Sequence, residues 1–247
     1  MNIISYALFG SRDKTLPRFE FNSYLRGLYW NVRMNALIYP SWTTHVELDS
    51  ATFSDYDNIF NALHEHYGMT YAVNPSDNLC KSMLWRLKPI WFKGSEYVLC
   101  RDTDAITTFR EAQCVKYHLH CDVQSILDNP SHSGIMGGMC GFKSEAIKER
   151  FPTYQSLFDQ YLLPINERGT DQIFLNKKFV QFQPEIIDNL SYLDQSSPLW
   201  ESNLTCRHIG SAGVVEMETI RFYKRFEGES KIIETEKKYP LIFNWHE

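Results

Sequence analysis

Apolar and polar positions alternate along the chain in short blocks that predict strands and helices in turn. Residues 3–9 are rich in β-branched and aromatic side chains and predict a first strand that ends at Gly10. Apolar residues then recur at helical spacing over 24–37, which predicts a helix. The same two patterns predict further strands at 44–48, 69–73 and 96–100, and further helices at 54–66, 79–92, 108–118, 144–151 and 171–179.

Serine, glycine and proline mark the expected ends of these elements. Ser54 is expected to cap the helix 54–66 and Gly68 to close it. Pro89 is expected to end the regular part of the helix 79–92. Because strands and helices alternate, the chain is expected to form an α/β fold with a mostly parallel sheet and helices on both faces.

The chain contains no internal repeat and no low-complexity linker, so residues 1–247 are interpreted as a single domain. A length of 247 residues is sufficient to bury a sizeable core. From about residue 181 the pattern is less periodic. This C-terminal portion is expected to pack on the main sheet as loops and short elements.

Composition excludes several classes of partner. The net charge is −5 without a long run of Lys or Arg, so a nucleic-acid surface is not indicated. No stretch approaches the ~18 uninterrupted apolar residues that a transmembrane helix needs. The first residues lack the basic region and cleavage site of a secretory signal, and we expect a soluble, cytoplasmic protein. The 6 cysteines form no C-x-x-C pair and are interpreted as reduced and mostly buried.

Two carboxylates follow the predicted strand 96–100 directly. Side chains at positions i and i+2 of extended backbone point to the same side, so Asp102 and Asp104 are expected to face one cation together. Ligands of open α/β sheets gather beyond the carboxyl ends of strands, and hard divalent cations bind carboxylate and phosphate oxygens. Arg101 is interpreted either as a charge-assisted contact to the ligand or as a residue that orients a carboxylate. The triplet alone is a weak signal, since Asp also bonds the local backbone in turns.

A glycine-rich segment spans 134–142 and contains Gly137 and Gly138. It is not a Walker A loop, since no Gly-Lys-Ser/Thr follows, and it is not interpreted as a Rossmann fingerprint. Glycine allows close backbone approach. Two interpretations remain open: a strand edge that lines a sugar pocket, or a strand that passes close to another element.

Asp171 lies at the start of the predicted helix 171–179. Thr170 is expected to cap this helix. A carboxylate near the positive end of a helix stabilises the helix, so Asp171 can be explained without a functional role. The functional interpretation places Asp171 in a cleft, where it binds hydroxyls of a donor or acceptor or assists proton transfer.

Two segments that contain histidine are candidates for metal binding. His208 lies in a glycine-rich loop and is interpreted either as an imidazole ligand or as an ordinary loop histidine. Cys114, His118 and Cys121 recur at helical spacing, which also suits a helix face packed on the sheet. Because no C-x-x-C pair is present, a structural zinc site there is not favoured.

Several separate blocks, in order along most of the chain, resemble a bacterial and viral family of glycosyltransferase-like proteins often linked to surface polysaccharide synthesis. Together the blocks are more specific than any one triplet. The matching blocks are residues 5–10, Gly27, Asn31, residues 39–42, residues 101–104 with Arg110 and Glu111, residues 128–132, residues 137–141, and Asp171 with Gln172.

The resemblance implies a GT-A fold, a nucleotide-binding α/β sandwich around a mixed sheet. It implies that Asp102 and Asp104 hold Mn²⁺ or Mg²⁺ on the diphosphate of a nucleotide-sugar donor, with His208 as the third protein ligand. Phe9 and Gly10 would lie near the nucleoside. The remaining implied contacts to the donor and its sugar come from Arg101, Gly137, Gly138, Asp171 and Gln172.

One position departs from a related group. Glycogenin-like transferases carry Asp-Gln-Asp-x-x-Asn late in the chain, whereas here Ile173 replaces the second Asp before Asn176. This difference argues against a glycogenin-type mechanism.

The expected reaction is sugar transfer from a nucleotide-diphosphate donor, with UDP as the preferred nucleotide, to a hydroxyl of a glycan or another acceptor. Asp171 is the candidate catalytic carboxylate, either as a base in an inverting enzyme or as a stabiliser of an oxocarbenium-like centre in a retaining one. Two alternatives remain: a phosphohydrolase of nucleotide sugars, and a non-catalytic sugar- or nucleotide-binding module. A nucleotidyltransferase is less favoured, because residues 9–18 contain only Gly10 where that class has a glycine-rich loop.

Overall fold

The computed structural model describes residues 1–16, 18–75, 78–127, 133–159 and 169–188. Within them one seven-stranded sheet is formed by β1 Asn2–Leu8, β2 Thr43–Asp49, β3 Thr70–Asn74, β4 Tyr97–Arg101, β5 Val123–Leu127, β6 Met139–Lys143 and β7 Glu185–Asp188. The α-helices are α1 Arg18–Ile38, α2 Ser50–Tyr67, α3 Leu79–Leu84, α4 Phe109–Tyr117, α5 Ser144–Arg150 and α6 Thr170–Phe179. Short 3₁₀ helices span Trp85–Trp91, Gln155–Phe158 and Val180–Phe182.

The strands lie in the order β3-β2-β1-β4-β6-β5-β7. All neighbouring strands are parallel except that β6 is antiparallel to both of its neighbours, β4 and β5. The segment before β6 therefore meets the carboxyl ends of the other strands at one edge of the sheet. Helices α1, α2 and α4 pack on one face, and α3, the 3₁₀ helix Trp85–Trp91, α5 and α6 pack on the other. The predicted α/β fold with a mostly parallel, mixed sheet between helices is confirmed.

The two ends of α2 differ in how well they were predictable. Gly68 ends the helix with a φ of 67°, as predicted. The predicted start is wrong: α2 begins at Ser50, and Asp49 caps it by accepting a hydrogen bond from the N–H of Thr52 at 2.8 Å. Ser54 lies inside the helix. Because Asp49 is also the last residue of β2, the strand passes into the helix without a loop.

The predicted helix 79–92 is divided into α3 and the 3₁₀ helix that follows it. Pro89 lies inside the 3₁₀ helix, and α3 already ends at Leu84. A proline ring clashes with the carbonyl four residues before it, here that of Trp85. The α-helical hydrogen-bond ladder therefore ends before Trp85 and not at the proline itself.

The C-terminal portion can be followed to the end of β7. The 3₁₀ helix Val180–Phe182 and β7 are short, and β7 joins the sheet beside β5. Residues 189–247 lie outside the described residues, so the single domain 1–247 stays a prediction. Among the described helices none is both long and apolar enough to cross a bilayer.

A buried polar cluster lies between β2, the end of β3 and the 3₁₀ helix Trp85–Trp91. Glu47 contacts the ring of His45 at 3.2 Å and accepts a hydrogen bond from Nδ2 of Asn74 at 2.7 Å. Nζ of Lys88 lies 3.5 Å from the same carboxylate. Burial by itself raises the pKa of Glu47, but the hydrogen bonds with His45 and Asn74 and the charge of Lys88 outweigh it. The pKa therefore lies below its ordinary value.

We expect the protein to lose stability in acid as Glu47 is protonated. Because its folded-state pKa is lowered, ionised Glu47 stabilises the fold above the ordinary pKa of 4.5, and this contribution is lost as the pH falls through the folded-state value. Urea titrations at a series of acidic pH values measure the effect. Glu47→Gln should lose about 1–3 kcal/mol near neutral pH and depend less on acid. An unchanged acid dependence in that variant would contradict the assignment.

Candidate functional site

The loop after β4 carries Asp102 and Asp104 at the carboxyl edge of the sheet. Asp102 directly follows Arg101, the last residue of β4, and its side chain is 50% exposed. The N–H of Ala105 donates to the carbonyl of Asp102 at 3.4 Å and closes a turn. Asp104 is half-buried within that turn. Both carboxylates therefore belong to one tight turn at the end of a central strand.

The guanidinium of Arg86 joins this loop to helix α6. Its Nη1 donates to Oδ1 of Asp102, and its Nη2 donates to Oδ2 of Asp171 at 3.2 Å. Its Nε donates to the carbonyl of Met83 at 2.8 Å, which orients the guanidinium plane. The side chains of Arg86 and Asp171 are only 7% and 8% exposed. Burial opposes the charge of Arg86, but Asp102 and Asp171 outweigh it and raise the pKa of Arg86.

Gly137 and Gly138 leave the room that the two carboxylates occupy. A Cβ on Gly138 would overlap the carboxylate of Asp102, and a Cβ on Gly137 would lie 2.7 Å from Oδ2 of Asp171. Neither glycine has a positive φ, so close approach rather than backbone conformation requires glycine here. A Cβ on Gly141 would lie 2.8 Å from side chains of β4. The glycine-rich segment thus contacts the carboxylates at its start and packs tightly against β4 further on.

Asp171 lies in the first turn of α6, near the positive end of the helix. The predicted cap is wrong: Gly169, with a φ of 86°, is the N-cap residue, and no side chain caps the helix there. Thr170 is the first helical residue and is buried. Asp171, two residues after this left-handed glycine, accepts the hydrogen bond from Arg86.

Helix α6 also holds the segment that leads into β6. Oδ1 of Asn176 accepts a hydrogen bond from the N–H of Ile135 at 2.9 Å, and its Nδ2 donates to the carbonyl of Ile135 at 3.0 Å. Nε2 of Gln172 donates to the carbonyl of Ser133 at 3.3 Å. Gly137 and Gly138 follow this clamped segment directly, so α6 fixes the position of the glycines together with that of Asp171.

Phe9 and Gly10 lie at the end of β1, on the same edge of the sheet. The ring of Phe9 meets that of Trp85 edge-on, with centroids 6.0 Å apart, and Trp85 directly precedes Arg86. The N–H of Gly10 donates to Oδ2 of Asp49 at 3.3 Å. Gly10 has a φ of 87°, which the turn away from β1 requires. A contact of Phe9 and Gly10 with a nucleoside stays a prediction.

Arg101 points into the interior of the protein. Its Nε donates to Oε1 of Glu111 at 2.6 Å, and its Nη1 donates to the carbonyls of Cys100 and Cys140 at 2.8 Å and 3.0 Å. The residue is 2% exposed. It orients the carboxylate of Glu111 and ties β4 to α4, so a contact between Arg101 and a donor stays a prediction.

The chemistry of the turn suits a hard divalent cation. Asp102 and Asp104 supply carboxylate oxygens, and Mg²⁺ sites commonly combine one or two carboxylates with substrate phosphates. In the described ranges no three His, Cys, Asp or Glu side chains could hold a metal ion by themselves. A cation at the turn would therefore need phosphate oxygens or a further ligand. His208, the predicted third ligand, lies outside the described residues, as does the block 128–132.

The cysteines of the described part of the chain are free thiols, at positions 80, 100, 114, 121 and 140. Cys114, on α4, is buried in the core between this helix and the sheet. Nδ1 of His118 lies 3.9 Å from Oε1 of Glu185 on β7. Only Cys114 lies within α4, because His118 is the C-cap residue of the helix and Cys121 lies beyond it. The three residues therefore do not form one helix face, and Cys206 lies outside the described residues.

Arg86 is the site residue that the sequence motifs do not find. One signal is present, because Arg86 is a charged residue within an otherwise mostly apolar segment, and a charge that becomes buried needs a partner. Its partners are 16 and 85 residues away along the chain. Separations of this size cannot be read from local spacing.

No protein-family model matches this chain, and no curated protein sequence is significantly similar to it. The solved structures similar to it include proteins described as a synthase, a nucleotide-diphospho-sugar transferase and a nucleoside-diphosphate-sugar pyrophosphorylase. The 4-diphosphocytidyl-2C-methyl-D-erythritol synthase of Anaerococcus prevotii matches with 8% identity and a TM-score of 0.46, over 76% of this chain and 86% of its own.

Two further solved structures are similar at comparable distance. A Desulfovibrio desulfuricans protein described as a nucleotide-diphospho-sugar transferase matches with 14% identity and a TM-score of 0.46, over 80% of this chain and 88% of its own. TarS of S. aureus matches with 12% identity and a TM-score of 0.40, over 72% of this chain and 55% of its own. At TM-scores this low, the similarities assign no family to this chain.

Proposed function

We propose that this protein is a metal-dependent glycosyltransferase that moves a sugar from a nucleotide-diphosphate donor to a hydroxyl acceptor. The observation that carries the proposal is the bridge made by Arg86. One buried guanidinium holds Asp102, at the end of β4, and Asp171, at the start of α6, at the carboxyl edge of the sheet. Ligands of open α/β sheets bind beyond this edge.

The carboxylates at this edge suit a cation that also binds an anionic donor. Asp102 and Asp171 share the guanidinium of Arg86, and Asp104 adds a carboxylate in the same turn as Asp102. Hard divalent cations bind carboxylate oxygens and phosphate oxygens alike. We expect Asp102 and Asp104 to hold Mn²⁺ or Mg²⁺, with His208 as a further ligand. When bound, the cation neutralises negative charge on the departing nucleoside diphosphate.

Asp171 is the residue that we expect to act on sugar transfer itself. Its ion pair with Arg86 fixes the carboxylate beside Gly137, where the missing side chain leaves the room that this carboxylate occupies. In an inverting reaction Asp171 would accept the proton of the acceptor hydroxyl. In a retaining reaction it would stabilise positive charge at the anomeric carbon. Gln172 and Gly138 would complete the contacts to the sugar.

The first test measures thermal stability with UDP, GDP, CDP and dTDP, each with and without Mn²⁺. A ligand at ~100 times its dissociation constant adds roughly 2.7 kcal/mol to stability, which gives a visible shift in Tm. We expect a Mn²⁺-dependent shift with one nucleotide, UDP first, and its loss in Asp102→Asn. Asp57→Asn, on an exposed part of α2, is the control and should retain the shift.

The products of the reaction separate the proposal from its alternatives. Nucleotide sugars are incubated with and without glycan acceptors, and a sugar–acceptor product supports transfer. Cleavage of the donor at the same rate with and without acceptors would identify a phosphohydrolase. Binding without turnover across a broad acceptor panel would identify a non-catalytic module. A protein that none of the four nucleotides stabilises, with or without Mn²⁺, would contradict the proposal.

A further inference from the structure

Helix α1 supports the loop that carries Asp102 and Asp104 through one buried amide. Nδ2 of Asn31 donates to the carbonyls of Thr103 and Ala105, each at 3.0 Å. Oδ1 of Asn31 accepts hydrogen bonds from the N–H of Thr107 at 2.9 Å and from its Oγ1 at 3.2 Å. An asparagine amide offers two N–H donors and two acceptor lone pairs, so Asn31 uses its full capacity on this loop.

Gly27 lies one helical turn before Asn31 and faces the same loop. A Cβ on Gly27 would overlap the carbonyl oxygen of Thr103 and lie 3.0 Å from Cα of Asp104. Residues four apart lie on one face of a helix, so Gly27 and Asn31 form a single contact surface. The loop therefore rests directly on the helix backbone at Gly27 and is hydrogen-bonded to it at Asn31.

The same loop is also tied at its two ends. Arg101, before the loop, donates to Glu111 in α4, after the loop, at 2.6 Å, and both side chains are buried. With its ends joined and its middle held by Asn31, the backbone of the loop is constrained along its whole length. Within the loop Asp102 keeps a side chain that is half exposed, and Asp104 is half-buried. Such a rigid support is what a carboxylate ligand needs to keep one geometry.

We propose that Asn31 and Gly27 are positioning residues for the metal site: they hold the backbone of residues 102–107 so that the two carboxylates stay ready for one cation. Neither residue touches the ligand. The inference rests on the proposed function, because it assigns these residues to the affinity for Mn²⁺. It goes beyond that function by placing part of the site's metal affinity in α1, on a helix that contributes no ligand.

The test measures the Kd for Mn²⁺ in the presence of UDP by calorimetry, for the wild type, Asn31→Ala and Gly27→Ala. The two variants disturb the loop in independent ways. Asn31→Ala removes all four hydrogen bonds, whereas Gly27→Ala keeps them available but pushes the loop away from the helix. We expect each to raise the Kd by about 10–100-fold, as loss of outer-shell support commonly does.

Asn35→Ala is the matched control on the same helix. Asn35 is also a buried amide, but its Nδ2 donates to the hydroxyls of Tyr6 and Thr44, at 3.0 Å and 3.2 Å, and not to the loop. Its replacement should lower Tm while the Kd for Mn²⁺ stays within about twofold of the wild-type value. Circular dichroism establishes a temperature at which every variant is folded, and all titrations are made there.

The outcomes separate this inference from the proposed function. If the wild type binds Mn²⁺ with UDP but both Asn31→Ala and Gly27→Ala keep its Kd, the positioning role is wrong and the proposed function stands. If Asn35→Ala weakens binding as much as Asn31→Ala, the effect is general destabilisation, which also overturns the positioning role. If the wild type itself binds no Mn²⁺, the proposed function fails and this inference falls with it.

Discussion

Replacing Arg86 with Met is expected to lower the free energy of unfolding by about 3–5 kcal/mol, because it leaves the buried carboxylate of Asp171 without its counter-charge. Met keeps much of the apolar volume of the Arg side chain, so the lost stability is caused by the missing charge and not by a cavity. Asp102 contributes less, since its side chain is 50% exposed and water can solvate it. Urea titration followed by circular dichroism measures the change.

Two further variants test whether the buried charge is the cause. Arg12→Met removes the guanidinium of an exposed ion pair with Asp55 and should leave the urea midpoint nearly unchanged. Adding Asp171→Asn to Arg86→Met removes the unpaired charge and should restore part of the lost stability. Equal losses in Arg86→Met and Arg12→Met, or no recovery in the double variant, would contradict a charge bridge at this place.

Gly138→Ala is expected to slow sugar transfer about 100-fold and to abolish the Mn²⁺-dependent stabilisation by the nucleotide, since a displaced group in a site can cost this much. The added methyl group overlaps the carboxylate of Asp102. That side chain is half exposed and can rotate into solvent, so we expect only a small loss of stability. The backbone of Gly138 is not left-handed, so Ala itself is not strained.

Gly94→Ala provides the comparison for this variant. Gly94 has a φ of 77°, and no atom lies within 4 Å of a Cβ placed there. Alanine should therefore cost about 1–2 kcal/mol through backbone strain and leave binding of nucleotide and Mn²⁺ unchanged. Both variants are measured by thermal shift and by the rate of transfer. Wild-type binding and transfer in Gly138→Ala would mean that Asp102 does not need its present position.

The strands around the site were predictable from local pattern, and the other strands were less so. β1, β2, β3 and β4 coincide with predicted strands to within one residue at each end. β1, β3 and β4 are compact runs rich in apolar residues, and β2 alternates polar and apolar positions around Val46 and Leu48, which are the two signals that strand prediction uses. β5 and β7 correspond to no predicted strand. β7 has 4 residues and is defined by its pairing with β5, a contact distant in sequence.

The start of α2 illustrates why local signals misplace helix ends. Serine and aspartate are about equally good N-cap residues, so Ser54 and Asp49 compete on propensity alone. Strand β2 pairs with β1 as far as Leu48 and with β3 as far as Asp49, and the chain turns directly into the helix there. Strand pairing therefore decided which residue became the cap.

By itself the sequence determined the alternation of strands and helices, the two carboxylates after β4 and the glycines before β6, because these depend on neighbours a few residues apart. Only the tertiary structure decided that Arg86 joins Asp102 to Asp171. These three residues lie on separate elements, and the packing of the 3₁₀ helix Trp85–Trp91 and of α6 on the sheet brings Arg86 and Asp171 to the end of β4. The structure also decided that Arg101 contacts Glu111 in the interior, since which face of β4 is covered by α4 is a matter of packing between elements and not of spacing.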